Sequence, residues 1–127
     1  MQELKDRIVK EGKVLPGNII KVDGFLNHRI DTELMDHIAE EFGKHFNMDE
    51  VTMILTAEAS GIALATAVAS RFHKPMIFAK KAKSDNIEGG LYQSDIYSYT
   101  YKKKVTLLVS KEWLSSDDKV LVIDDFM

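Results

Sequence analysis

The sequence predicts an α/β fold with a central parallel sheet and flanking helices. Residues 51–57 form a short β-prone run with apolar side chains on both faces, which is typical of a buried parallel strand, and residues 119–124 form another. Residues 58–72 are rich in alanine and predict a helix that packs closely on a sheet, and Pro75 marks the start of a further strand at residues 76–79. The resulting βαβ unit places its helix on one face of the sheet by the rule of right-handed crossover.

Two helices and an extended segment are predicted ahead of this unit. Apolar residues at helical spacing indicate a short amphipathic helix that ends near Gly12. After a Pro-Gly turn at residues 16–17, residues 18–26 are rich in Ile and Val and predict an extended segment. Asp31 has the position of an N-cap, and the apolar residues that follow it predict a second helix over residues 32–46.

The second half of the chain predicts an antiparallel excursion and a final strand. Residues 92–101 and 105–109 are typical of two strands that enclose a lysine-rich tip. Residues 120–127 predict a buried strand, and no covering helix follows Met127. We therefore expect a single incomplete domain over residues 1–127, with its C-terminal part missing.

Composition excludes several classes of function. The chain has 127 residues, 45% of them apolar, which suits one soluble domain. Its net charge of -3 gives no general footprint for nucleic acid, and it has no cysteine for a disulfide, a thiolate metal site or a thiol nucleophile. The charged N-terminus lacks a signal-peptide pattern, and the apolar run at residues 61–69 is too short to span a bilayer. We expect a cytoplasmic protein without a nucleic-acid or membrane partner.

The strongest candidate for chemistry is the acidic pair Asp124 and Asp125 at the end of the last strand. Carboxylates at the carboxyl edge of a parallel sheet lie where open α/β folds bind ligands. Adjacent strand residues point to opposite faces, so the two side chains are expected to have different roles. Three interpretations stay open on this pattern: contacts to the hydroxyls of a phosphorylated sugar, Mg²⁺ binding as in phosphatases and NTPases, or a solvated strand end.

A second candidate is the turn at residues 56–61, whose small residues allow backbone amides to approach an anion. Plain packing explains small residues here equally well. Three lysines follow the second core strand at the same sheet edge as Glu58 and Asp124, and their charge suits a pyrophosphate. These lysines are Lys80, Lys81 and Lys83. No GxGxxG, Walker A, HExxH or Ser-His-Asp pattern supports another chemistry.

Four strings resemble the type I phosphoribosyltransferase family. VLVIDDF at residues 120–126 resembles the start of its phosphoribosyl pyrophosphate motif. IKVDGFLNH at residues 20–28, TAEASGI at residues 56–62 and FAKKAKS at residues 78–84 resemble the bacterial members that use xanthine. Several spaced strings in the same order are far more specific than one.

The resemblance implies a purine salvage enzyme that transfers a 5-phosphoribosyl group from phosphoribosyl pyrophosphate to xanthine. It implies that Ile20 and Asn27 bind the xanthine, and that Asp124 and Asp125 are the catalytic carboxylates at the ribose. It also implies Mg²⁺ held mainly by the phosphoribosyl pyrophosphate, with no metal ligand from the protein, and a homodimer. The residues implied for phosphoribosyl pyrophosphate binding are Ala57, Glu58, Ser60, Gly61, Lys81, Asp124 and Asp125.

The resemblance also divides the chain and leaves one alternative function, besides the possibility of an inactive truncated chain that persists as a dimer partner. Residues 1–47 correspond to a purine-side hood segment, and residues 51–127 to the core, with a flexible flap at residues 85–110. The family continues after Met127 with the loop that grips the donor's 5'-phosphate, which agrees with a fragment. The alternative is a regulator of transcription that senses the donor on the same fold without catalysis, but no basic recognition helix precedes the core.

Overall fold

The computed structural model describes residues 1–82, 90–98 and 103–126 of the chain. Three α-helices and seven strands lie within these ranges, with a π-helical turn at Asp23–Asn27 and a short 3-10 turn at Met48–Glu50. The helices are α1 (Gln2–Glu11), α2 (Thr32–His45) and α3 (Ile62–Phe72), and the strands are β1 (Lys13–Leu15), β2 (Ile19–Lys21), β3 (Met53–Ala57), β4 (Met76–Ala82), β5 (Leu91–Ser98), β6 (Lys103–Ser110) and β7 (Val120–Val122).

Five strands form one mixed sheet in the order β5, β6, β4, β3, β7. β3 is parallel to both of its neighbours, with Leu55 opposite Ile77 in β4 and opposite Val122 in β7. β6 is antiparallel to β4, and β5 is antiparallel to β6. The predicted α/β class, the βαβ unit and the antiparallel excursion are confirmed. The excursion continues the main sheet, so only three strands of the described sheet are parallel.

The hydrophobic core lies between the sheet and the two longer amphipathic helices. Ile54 of β3, Val68 of α3 and Ile123 beyond β7 are each 0% exposed. Arg71 of α3 donates to Asp36 of α2 across 2.9 Å, which joins the two helices at the surface. The sequence predicted close packing of an alanine-rich helix on the sheet, and the small residues of α3 let this helix lie close to it.

The N-terminal elements are attached to this core mainly through side chains. No residue of α1 is buried, and all residues of the β1–β2 hairpin are exposed. The Arg7 guanidinium contacts Asp31 at 2.8 Å and lies over the Phe25 ring at 5.1 Å. Phe25, at 1% exposure, fixes the π-helical turn in the core. Asp31 caps α2 as predicted, since it accepts from the backbone N–H of Leu34 at 3.1 Å.

Several boundaries predicted from the sequence are wrong, two of them in the first half of the chain. The extended segment at residues 18–26 is limited to Ile19–Lys21, because the chain then enters the π-helical turn that buries Phe25. The helix predicted over residues 58–72 begins at Ile62, since the preceding residues form a turn.

The last strand differs most from its prediction. β7 covers only Val120–Val122 instead of residues 120–127, and it is an edge strand. Val120 is 39% and Val122 is 51% exposed, so the strand is not buried on both faces. In the described sheet β7 has a paired strand on one side only.

The lysines and the flap also differ from their predicted positions or fall outside the described residues. Lys80 and Lys81 lie inside β4 instead of after it, because this strand continues to Ala82 in order to pair with β6. Lys83 and parts of the predicted flap at residues 85–110 lie outside the described ranges. Within those ranges, no helix has the length and apolar character needed to cross a membrane.

Candidate active site

The acidic pair lies immediately beyond β7, at the carboxyl edge of the parallel strands. The backbone N–H of Ile123 donates to the carbonyl of Leu55 at 2.9 Å, so pairing with β3 continues one residue past the strand. Ile123 is fully buried and anchors the backbone at this point. Asp124 and Asp125 therefore lie next to the turn that leads from β3 into α3.

The carboxylate of Asp125 is held by two side chains that are distant in the sequence. Asn27 Nδ2 donates to Oδ2 at 3.0 Å, and Ser60 Oγ donates to Oδ1 at 2.9 Å. Burial raises the pKa of Asp125, but its hydrogen bonds with Asp124, Asn27 and Ser60 outweigh burial and leave the pKa below its usual range. Asp125 therefore stays ionised to a lower pH than Asp124 does.

The pKa of Asp124 is shifted in the opposite direction. Its Oδ1 accepts from the backbone N–H of Asp125 at 2.8 Å. Burial is the main cause that raises the pKa of Asp124 to about 6, the neighbouring Asp125 adds to the rise, and the Lys81 charge opposes it. The contribution of this group to stability is therefore full below the ordinary carboxyl pKa of about 3.9 and is lost as the pH rises through about 6.

Gly61 makes room for Asp124. A Cβ at this position would lie 2.4 Å from Asp124 Oδ1 and 2.4 Å from Thr56 Oγ1, which is closer than real Cβ contacts. Gly61 is also the N-cap residue of α3, and its carbonyl accepts from Ala65 N–H at 3.0 Å. The glycine thus allows a carboxylate and the start of a helix to meet without a steric clash.

The turn between β3 and α3, residues 58–61, is tied to β4 at its first residue. The backbone N–H of Glu58 donates to the carbonyl of Ala79 at 3.0 Å. The carboxylate of Glu58 accepts from the backbone N–H of Lys81, and the Glu58–Ala59 peptide is cis. The turn opens at the N-terminus of α3, where the helix dipole and free N–H groups favour an anion.

Most of the site residues predicted from the sequence lie close together in the structure, but not all of them do. Asn27, Ser60, Gly61 and the acidic pair meet in one group, and Ala57 and Asp124 line a cavity of about 160 Å³ against apolar residues of β3, β4 and β6. Lys81 is exposed and acts on Asp124 through its charge. Ile20 lies apart from the hydrogen-bonded group, in β2 opposite Val14, at 46% exposure.

Thr56 is a member of the site that the sequence identified only as the first residue of a small-residue turn. It is 3% exposed, and its hydroxyl is adjacent to the Gly61 space that Asp124 occupies. A β-branched polar residue at the end of an apolar strand was the signal available, but such a residue is common in strands for packing reasons alone.

The site's chemistry follows from the difference between its two carboxylates. Side by side, one is ionised and hydrogen-bonded, while the other exchanges a proton near neutral pH. Carboxylates of this kind accept hydrogen bonds from neighbouring hydroxyl groups, such as those of a sugar diol. The adjacent helix N-terminus suits a phosphate attached to the same ligand.

Solved structures with a similar fold define the class of protein. Adenine phosphoribosyltransferase from Giardia lamblia, complexed with 9-deazaadenine, aligns with a TM-score of 0.71 at 20% identity over 92% of this chain and 65% of that one. The enzyme from Trypanosoma brucei, in complex with AMP, pyrophosphate and ribose-5-phosphate, aligns with a TM-score of 0.67 at 22% identity over 96% of this chain and 54% of that one. The chain therefore has the type I phosphoribosyltransferase fold.

Curated relatives then define the family. The xanthine phosphoribosyltransferases of Lachnoclostridium phytofermentans and Ligilactobacillus salivarius are each 52% identical over the whole chain, which covers 66% of their lengths. That of Ruminiclostridium cellulolyticum is 46% identical over the whole chain and is covered to 67%. The chain belongs to the xanthine phosphoribosyltransferase family and spans about two thirds of the length of these relatives. No protein-family model matches it.

Proposed function

We propose that the protein transfers a 5-phosphoribosyl group from phosphoribosyl pyrophosphate to N9 of xanthine, which yields xanthosine monophosphate and pyrophosphate in purine salvage. The observation that carries the proposal is the acidic pair, held by Asn27 and Ser60 beside the N-terminus of α3. The names of the L. phytofermentans and L. salivarius relatives support the choice of xanthine. Both are named as transferases, and the alternative of a transcriptional regulator has no support from them.

The acidic pair is assigned to the ribose of the donor. Asp125 is ionised and both of its oxygens already accept hydrogen bonds, so it offers a fixed acceptor for a ribose hydroxyl. Asp124 accepts best when it is ionised, so donor affinity is expected to increase as the pH rises through about 6. The two carboxylates also stabilise positive charge that develops on the ribosyl group as the bond to pyrophosphate breaks.

The turn between β3 and α3 is assigned to the pyrophosphate. Ser60 and Gly61 present backbone at the start of α3, Ala57 ends β3 beside them, and Lys81 adds an ammonium group. Glu58 contributes through its backbone and by holding β4, because its carboxylate is directed to the N–H of Lys81. Its negative charge would repel pyrophosphate, so we do not assign it a direct side-chain contact.

The hood segment, residues 1–47, is assigned to the base. Asn27 Nδ2 uses one donor on Asp125 and retains a second N–H and a carbonyl oxygen for the edge of the purine. Ile20, exposed on the hairpin, is assigned to pack on the purine ring. The flap at residues 85–110, which includes β5 and β6, is assigned to exclude water over the core of residues 51–127.

Mg²⁺ is proposed to enter with the donor. No group of three or more His, Asp or Glu residues that could hold a metal occurs in the described ranges, and both Asp125 oxygens accept hydrogen bonds. This donor set fits an ion held by the phosphates and water, as Mg²⁺ commonly is. When bound, the ion neutralises charge on the leaving pyrophosphate. We also propose that the protein acts in the cytoplasm as a homodimer.

The test uses the 127-residue chain and a chimera that adds the part of the L. phytofermentans relative lying beyond the matched region. Nucleotide and pyrophosphate formation are measured with xanthine, guanine and hypoxanthine, in the presence of Mg²⁺. We expect turnover by the chimera with a preference for xanthine, and its loss in Asp124→Asn and Asp125→Asn. If the chimera shows no activity with any of the three bases, the proposed function is rejected. A preference for guanine or hypoxanthine would reject xanthine as the substrate.

A further inference from the structure

Thr56 carries a polar group whose role the proposed function does not explain. Its side chain is 3% exposed, and its Oγ1 has no hydrogen-bond partner among the residues that the structure describes. A buried hydroxyl without a partner is unfavourable, because it has given up its bonds to water. Such groups are rare in folded proteins and call for a specific explanation.

The nearest explanation is Asp124. Thr56 Oγ1 and Asp124 Oδ1 each lie 2.4 Å from the point that a Cβ at Gly61 would occupy, so they cannot be further apart than twice that distance. The absence of a side chain at Gly61 leaves the space between them free. Asp124 Oδ1 accepts one backbone N–H from Asp125 and, as a carboxylate oxygen, can accept a second donor.

We propose that Thr56 is a positioning residue for Asp124. The structure contains no hydrogen bond between the two side chains, and we infer that the Thr56 hydroxyl turns to donate to Oδ1 when Asp124 is ionised. An ionised carboxylate is purely an acceptor, so the donation is strongest in that state. The charged groups that face Asp124 are Asp125, which opposes ionisation, and Lys81, which favours it. A hydrogen bond from Thr56 would favour ionisation of Asp124, as Lys81 does, but from the buried side of the site.

This hydrogen bond would place Asp124 for the ribose, and in that respect the inference rests on the proposed function. The bond itself requires no ligand. Its loss should therefore be visible in the protonation of Asp124 even in a chain that binds no substrate.

The experiment is a carboxyl ¹³C NMR titration of the 127-residue chain and of the variants Thr56→Val and Thr56→Ser. Valine keeps the volume and removes the donor, whereas serine keeps the donor. We expect the apparent pKa of Asp124 to be higher in Thr56→Val by about 0.5–1 pH unit and to remain near the original value in Thr56→Ser. Far-UV circular dichroism verifies that each variant is folded.

A purely structural role for Thr56 makes the opposite prediction. Valine would then be neutral or stabilising, because it removes an unpaired polar group, and the pKa of Asp124 would not change. That result would overturn the inference and leave the proposed function intact, since the titration uses no substrate. If valine prevents folding, Thr56→Cys replaces it, because a thiol is a weak donor and the same upward shift is expected.

Discussion

The two sides of the candidate site are held by different kinds of contact. In the β3–α3–β4 unit, backbone hydrogen bonds place the turn, and buried residues such as Ile54 and Val68 support it. In α1 and the β1–β2 hairpin no residue is buried. Leu4 and Ile8 pack against the core while only partly buried, and Arg7 pairs with Asp31. Full apolar burial stabilises more than partial burial and exposed ion pairs do, so the β3–α3–β4 unit is held more firmly than α1 and the hairpin.

One hydrogen bond joins these two regions at the carboxylates. Asn27 belongs to the π-helical turn of the hood segment, whereas Asp125 follows β7 of the core, 98 residues later in the chain. A change at Asn27 can therefore affect Asp125 through this hydrogen bond. Four sets of substitutions test this comparison, in order of decreasing expected effect.

Gly61→Ala should have the largest effect, because it introduces a Cβ that clashes with Asp124 and Thr56. We expect a loss of about 1–3 kcal/mol in the free energy of unfolding, measured with urea. Gly24→Ala is the matched control, since a Cβ at Gly24 meets nothing within 4 Å. Equal effects from the two substitutions would show that the core side is not tightly packed at this point.

The pair Asn27→Ala and Asp125→Ala should show coupling between the regions. A double-mutant cycle on the free energy of unfolding is expected to give an interaction energy of about 1 kcal/mol, because the hydrogen bond is to a charged group. Ser60→Ala with Asp125→Ala provides a second cycle, for a contact within the core. Additive effects in the Asn27 cycle would mean that the hood and the core are not linked here.

Asp31→Ala should loosen the hood through the start of α2. It removes the cap on Leu34 N–H and the partner of Arg7, whereas Asp31→Asn retains an oxygen for the cap. We expect the melting temperature to fall by a few degrees for alanine and by less for asparagine. The same decrease for both variants would assign the effect to the Arg7 ion pair instead of the cap.

The smallest effect is expected for the contact between Glu3 of α1 and His37 of α2. The hydrogen bond from His37 to Glu3 raises the pKa of His37, so its contribution to stability is full below about 6.5 and is lost as the pH rises through the folded-state pKa. Melting temperatures of Glu3→Gln and the unsubstituted chain should differ slightly at about pH 5.5 and converge at about pH 8. Glu112→Gln, at another exposed glutamate, controls for the change in net charge.

Features with a local physical cause could be predicted from the sequence. The apolar run of β3, the small residues of α3 and the Asp31 cap each depend on neighbours within a few residues. The wrong boundaries have non-local causes. The edge position of β7 in the described sheet depends on its pairing with β3, which is distant in the sequence, and the segment after Lys21 turns helical because Phe25 enters the core.

The sequence by itself determined the α/β class, the acidic pair at the end of the last strand, the small-residue turn and the resemblance that the relatives confirm. Only the tertiary structure decided which carboxylate carries the raised pKa, and that Asn27, Ser60 and Gly61 meet there. The physical reason is that desolvation and hydrogen bonding act between residues 65 and 98 positions apart, and folding alone brings them together. The role inferred for Thr56 could not be predicted from the sequence for the same reason, because it depends on Gly61 and Asp124 lying beside its hydroxyl.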